Sequence, residues 1–125
     1  MAPSTGKGRA WEITQIHLGG PAFEQSSNVS VGTSLVSVVK GNGDRVGLIM
    51  LNNGATDVFI GLDSATSTSN GIRLSAAGGS ASLNVKDDFT LPSREWLGIS
   101  SAPANNVYVL EIIALGVEQQ TPQGF

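Results

Sequence analysis

The chain of 125 residues has no cysteine, a single histidine, a single tyrosine, and only 14% charged residues. Each scarcity excludes something. Without cysteine there are no disulfides, no thiolate nucleophile and no thiolate metal site. With His17 alone, a Ser-His-Asp triad or a histidine-rich metal site would have to recruit partners that the sequence does not point to. His17 therefore reads as a surface or strand-end residue. A net charge of −3 argues against a general nucleic-acid binder, which needs a basic face. No apolar run approaches the roughly 18 residues of a membrane span. The opening "MAPSTGKGRAW" has no apolar signal-peptide core, so synthesis and residence in a cytoplasm are expected. On that expectation the sequon Asn28-Val29-Ser30 carries little meaning, because glycosylation needs a secretory route.

What is present is β-forming sequence punctuated by turns. Sixteen glycines, with many serines, threonines and asparagines, favour short strands over long helices. Residues 1–10 read as a flexible arm and 118–125 as a tail, flanking a β domain over 11–117. "WEITQIHL" (11–18) suits a first strand, and "GGPAFEQSSN" (19–28) a loop. Further strand segments are 29–40, 45–52, 57–63, 71–75, 81–86, 95–101 and 106–115. The spacing predicts an all-β fold, a single β-sandwich or jelly-roll-like domain of about eight short antiparallel strands. No helix is expected, since Val107, Val109 and Ile113 bias "VLEIIALGVEQQ" toward a strand.

In "KGNGDR", Asn42-Gly43 suits a two-residue type I′ turn with positive φ at both positions. That turn would set Val39 opposite Val46, Ser37 opposite Leu48 and Leu35 opposite Met50. Val36, Val38, Ile49 and Leu51 would form the other face. Both faces are apolar, so the pair is expected either to lie between two layers or to meet another chain.

The chemistry-bearing candidates are weak. "DSATSTSNG" (63–71) has one carboxylate where a calcium loop needs several, and reads as a polar loop. Asp87-Asp88 reads as a solvated pair. "GKGR" (6–9) lacks the strand and spacing of a phosphate loop, and no serine sits in an elbow motif. Trp11 and Trp96 suit core packing, with a sugar-binding platform as the alternative. Glu111 lies on the apolar Val107–Val109–Ile113 face. It is expected either at a rim or paired with Arg45, Arg94 or Lys86, in the sharper version as an interface salt bridge.

Taken together, Arg45 to Asn52, Val58 to Gly61, Asn70 to Leu74, Ala76 to Ser80, Trp96 to Ser100 and Val107 to Glu111 resemble a known pattern. It occurs in small virion proteins of tailed bacteriophages, often auxiliary head or decoration proteins. The match spans residues 45–113, and the first 40 residues match nothing known. The resemblance implies a non-enzymatic subunit, without cofactors, that cements or decorates a capsid by burying surface. Its partners would be the major capsid protein and copies of itself, as a dimer or trimer, on the virion surface after synthesis in the host cytoplasm. Candidate partner contacts are Lys7 and Arg9 in the arm, Leu48 and Ile49 on opposite faces of the hairpin, Glu111, and Phe125 in the tail. A tail, spike or fibre-associated receptor-binding module on the same sandwich is the alternative.

Overall fold

The computed structural model describes Arg9 and residues 22–115. The arm, the expected strand 11–18, Lys7, Trp11, His17 and the tail with Phe125 lie outside the described residues. Eight strands follow in order: β1 (Ala22–Val31), β2 (Val36–Val39), β3 (Arg45–Asn52), β4 (Val58–Gly61), β5 (Ile72–Leu74), β6 (Ser80–Asn84), β7 (Trp96–Ser100) and β8 (Asn105–Ala114). They form two four-stranded sheets, β1-β8-β3-β6 and β2-β7-β4-β5, paired antiparallel throughout. The all-β sandwich read from the sequence is the observed fold.

The topology has a simple origin. β1 pairs with β8, β2 with β7, β3 with β6 and β4 with β5. The chain is thus one long antiparallel hairpin whose outgoing arm is β1–β4 and whose return arm is β5–β8. Rolling that hairpin drops alternate pairs into two sheets, and the contacts β3–β8 and β4–β7 close each sheet. This is jelly-roll connectivity. "DSATSTSN" is the hairpin's tip, held by the Ser67–Asn70 bridge and by Asp63, whose carboxylate accepts the Ala65 N–H at 3.0 Å.

The core lies between the sheets and is aliphatic. Leu48, Met50, Val107 and Val109 from one sheet meet Val58, Ile60, Leu74 and Trp96 from the other, all nearly or fully buried. Burying each large aliphatic side chain contributes about 1.5–3 kcal/mol, so alternation along β3, β4 and β8 is what selects the inward face.

Three sequence expectations are corrected. First, Asn42-Gly43 does not close a β2–β3 hairpin: β2 and β3 belong to different sheets, and residues 40–44 cross between them. Arg45 N–H donates to the Asn42 carbonyl at 3.0 Å, and Asp44 N–H to the Asn42 side chain at 2.9 Å. Gly43 is not among the residues with positive φ. An Asx side chain can organise a turn without the left-handed conformation. Second, β-bulges change the expected faces at Val38 and Arg45, while Leu48 with Met50 and Ile49 with Leu51 keep opposite, apolar faces of β3. A register shift in β2 sends both Val38 and Val39 inward, and one in β3 between Arg45 and Gly47 turns Arg45 inward. Third, "AFEQSSN" is strand β1, not loop, and "VKDD" (85–88) is a one-turn helix, α1, capped by Asn84. The Asn84 side chain accepts the Asp87 N–H at 2.9 Å, and Asp88 accepts the Asn84 N–H at 3.0 Å. A reciprocal capping pair of this kind outweighs the strand tendency of Val85.

Candidate functional site

The register fixes which side chains face away from the core. On β8, Val107, Val109, Glu111 and Ile113 point inward and are buried, leaving Tyr108, Leu110 and Ile112 on the outside, half-buried. On β3, Ile49 lies opposite Leu110, and Leu51 opposite Tyr108. β3 and β8 are the two central strands of their sheet. Ile49, Leu51, Tyr108, Leu110 and Ile112 therefore form a continuous apolar surface at the middle of that sheet's outer face. Around it the neighbouring strands supply Ser26 and Asn28 on one side and Ser80 and Ser82 on the other, with Glu24 as the charged residue.

The second sheet's outer face is different. Phe59, Leu97 and Ile99 are half-buried there. They are bordered by charge: Arg73 faces Asp57 at 3.8 Å, and Lys40 faces Glu95 at 3.6 Å. The apolar centre is smaller and its rim is ionic. Water solvates such a face more readily than one ringed by serines.

The candidate contact residues separate accordingly. Ile49 lies on the outer apolar face, half-buried. Leu48 points the other way and is 1% exposed, within the core. Arg9 is exposed, whereas Lys7 and Phe125 fall outside the described residues. Glu111 is buried, and of its three possible partners it meets Arg45. Arg45 Nε donates to Glu111 Oε1 at 2.9 Å, and Gln25 Nε2 to Glu111 Oε2 at 3.1 Å. The remaining guanidinium nitrogens donate to backbone carbonyls of Pro92 (2.9 Å), Arg94 (3.2 Å) and Lys40. The pair is internal to the chain and closes one end of the sandwich.

The opposite end is closed by neutral groups. Asn52 Nδ2 donates to the carbonyls of Thr56 and Leu74, both at 2.9 Å, and its Oδ1 accepts the Gly54 N–H at 2.8 Å. Asn105 Oδ1 accepts from the Thr56 hydroxyl at 2.8 Å and its N–H at 3.0 Å, and Nδ2 donates to Ser100 Oγ at 3.1 Å. Gly54 is required there: a Cβ would lie 2.3 Å from Asn105 Oδ1 and 2.7 Å from its Cα. Among the described residues no buried side-chain nitrogen or oxygen lacks a partner.

The other candidates have structural places. Trp96 is 3% exposed, with Nε1 donating to the Leu91 carbonyl at 3.0 Å. Its ring also lines a cleft of about 520 Å³ at the 62–71 loop, together with Leu62, Asp63, Asn70, Ile72 and Leu91. Asp87 and Asp88 belong to the α1 cap. Among the described residues no three His, Cys, Asp or Glu side chains gather into a metal-binding group.

Sequence reasoning put Ile49 and Leu51 on one apolar face, with Val36 and Val38, but did not join Tyr108, Leu110 and Ile112 to it. The signal was present: "NVYVLEIIAL" is apolar at both alternating phases, which a strand with one wet face is not. Phe89 was also missed. It is 80% exposed with φ 57° beside the 3-10 turn Leu91–Ser93.

No protein-family model and no curated protein matches the chain. Among solved structures, it is similar to a chain described by the words "Bacillus endospore appendages form a novel family of disulfide-linked pili". The identity is 12%, with 76% of this chain and 88% of that chain covered, at a TM-score of 0.43. A likeness that distant carries no argument about function or assembly.

Proposed function

We propose that the protein is a non-enzymatic virion structural subunit, a decoration or cement protein that binds the capsid surface and stabilises the head. The observation that carries this reading is the outer face of the β1-β8-β3-β6 sheet, where Ile49, Leu51, Tyr108, Leu110 and Ile112 are contiguous and ringed by serine and asparagine. Such a face gains free energy by burial against another protein and has no charge to desolvate at its centre. The buried polar side chains support the same reading, since among the described residues each is hydrogen-bonded within the chain. So does the resemblance of residues 45–113 to small tailed-phage virion proteins. A specific interface buries roughly 1,600 Å² in total, and repetition over a symmetric lattice multiplies modest affinities by avidity.

The test is a pair of adjacent substitutions. Ile49→Asp should fold, with an unchanged far-ultraviolet spectrum, and lose binding to heads that lack the protein. Leu48→Asp places a charge in the core and should not fold. An Ile49→Asp protein that occupies heads like wild type would remove this face from the reading.

A receptor-binding role on a tail or spike is the second reading, favoured by one observation: the cleft at the 62–71 loop is lined by Trp96 together with the polar residues Asp63 and Asn70. Glycan-array binding by the isolated protein, lost on Asn70→Ala, would support it.

A further inference from the structure

The sandwich has four edge strands, β1 and β6 in one sheet and β2 and β5 in the other. An open edge presents unpaired N–H and C=O groups, and folded proteins usually guard it by shortness, charge, proline or a bulge. Three of these edges are guarded. β5 is three residues long and carries Arg73. β2 has four residues, a bulge at Val38, and Lys40 just beyond its end. β6 has five residues and runs directly into α1, with Lys86, Asp87 and Asp88.

β1 has neither shortness, proline nor a bulge, and its single charge is Glu24. It is ten residues long, "AFEQSSNVSV", without lysine, arginine or proline. Its register against β8 runs unbroken from Ala22↔Ala114 to Val31↔Asn105. Among the described residues no strand lies along its other edge. Residues 23–28 are exposed on both sides, although Phe23, Gln25 and Ser27 share the inward-facing phase of the fully buried Val31. The opposite sheet leaves that half of β1 uncovered, so neither face obstructs an incoming strand.

We propose that this edge joins two copies of the chain, β1 pairing antiparallel with β1 of a second copy about a two-fold axis normal to the sheet. The two four-stranded sheets then fuse into one. A second copy is the occupant because the edge complements itself. In an antiparallel pair, facing residues lie on the same side of the sheet, so the axis passes beside a residue that faces its own counterpart. Centred on Ser27, the pairing sets Phe23 against Val31, Gln25 against Val29 and Glu24 against Ser30. Apolar ends meet apolar ends, and the strand's one charge never faces itself, which like charges directly opposite would penalise. A two-fold contact of this kind is isologous and closed, so it yields a dimer and not a fibre. It also sets the outward apolar faces of both copies on the same side of one sheet, separated by the polar residues Glu24, Ser26 and Asn28 of the two β1 strands. The inference deepens the self-association in the reading above and stands without the capsid contact.

The absence of cysteine makes the test clean. Single cysteines are introduced into the full-length protein as Ser26→Cys, Ser27→Cys and Asn28→Cys, with Ser82→Cys on β6 as the control. Facing residues lie roughly 4.5–5.5 Å apart between Cα atoms, within the range a disulfide spans. Under mild oxidation Ser27→Cys should form a covalent dimer fastest, and Ser82→Cys should remain monomeric. In parallel, sedimentation equilibrium should show wild type as a dimer, and Ser27→Lys, which sets two ammonium groups face to face, should weaken it roughly fivefold with the far-ultraviolet spectrum unchanged. A wild type that is monomeric, a dimer indifferent to Ser27→Lys, or cross-linking as fast at Ser82→Cys as on β1 overturns the proposal. A dimer of the expected kind that leaves heads undecorated removes the capsid reading and keeps this one.

Discussion

The two ends of the sandwich are closed by different chemistry. At one, where residues 40–44, 62–71 and 85–95 cross over, Arg45 and Glu111 form a buried ion pair, with side chains 1% and 9% exposed. At the other, where residues 53–57, 75–79 and 101–104 turn, Asn52, Asn105, Thr56 and Ser100 form a neutral network. Both solve one problem. Turns at the mouth of a sandwich carry backbone carbonyls and N–H groups that no strand partner reaches, and leaving them unpaired is costly. An asparagine supplies donor and acceptor together and can tie two turns without charge. An arginine reaches three separate carbonyls at once, but needs a carboxylate to neutralise it. The neutral end should tolerate loss of a member better than the charged end.

The largest effect is expected at the ion pair. Glu111→Ala leaves a buried guanidinium without its counter-ion, which should cost about 3–5 kcal/mol by urea denaturation. Replacing both members, Arg45→Met with Glu111→Leu, removes the unpaired charge but strands the Pro92, Arg94 and Lys40 carbonyls, so only part of that loss should be recovered. A loss below about 1 kcal/mol for Glu111→Ala would mean that water reaches the guanidinium.

At the neutral end, Asn105→Ala strands the Thr56 N–H. The expected loss is roughly 1–3 kcal/mol, measured the same way. If Asn105→Ala proves costlier than Glu111→Ala, the ranking of the two ends is inverted. The smallest effect is expected at Gly43, in the crossover beside Arg45. A Cβ there meets nothing within 4 Å. Since φ is not positive, Gly43→Val should shift stability by no more than about 0.5 kcal/mol. A drop above about 1 kcal/mol would restore the left-handed turn that the Asn-Gly dipeptide suggests.

These three positions also show what the sequence could tell. Alternation placed β4 through Val58 and Ile60. β3 and β8 were legible as strands from their apolar, β-branched runs. Both phases of each are apolar, so that Leu48 and Met50 rather than Ile49 and Leu51 face the core needed the structure. Alternation could not place β1. That strand lies at an edge with both sides wet, so its Ser, Gln and Asn residues leave no alternation to read. Nor could it place the bulges. Each inserts one residue and swaps the faces beyond it, which is why Arg45 turns inward to Glu111 and why Val38 and Val39 both enter the core. Asn42-Gly43 looked like a hairpin turn because local preference describes the turn and not the strands it joins; the pairing was decided by the long hairpin, through contacts distant in sequence. For the site, Ile49 was legible as one phase of an apolar strand. Leu51 was legible on the same face, but their grouping with Tyr108, Leu110 and Ile112 needed the β3–β8 register.

Location on the particle tests the proposed function most directly. Cryo-electron microscopy of particles carrying the protein should show it in many copies over the head lattice, with the Ile49–Leu110 face of the β1-β8-β3-β6 sheet turned toward a neighbouring protein. Density confined to a single vertex or to the tail, with that face open to solvent, would contradict the account.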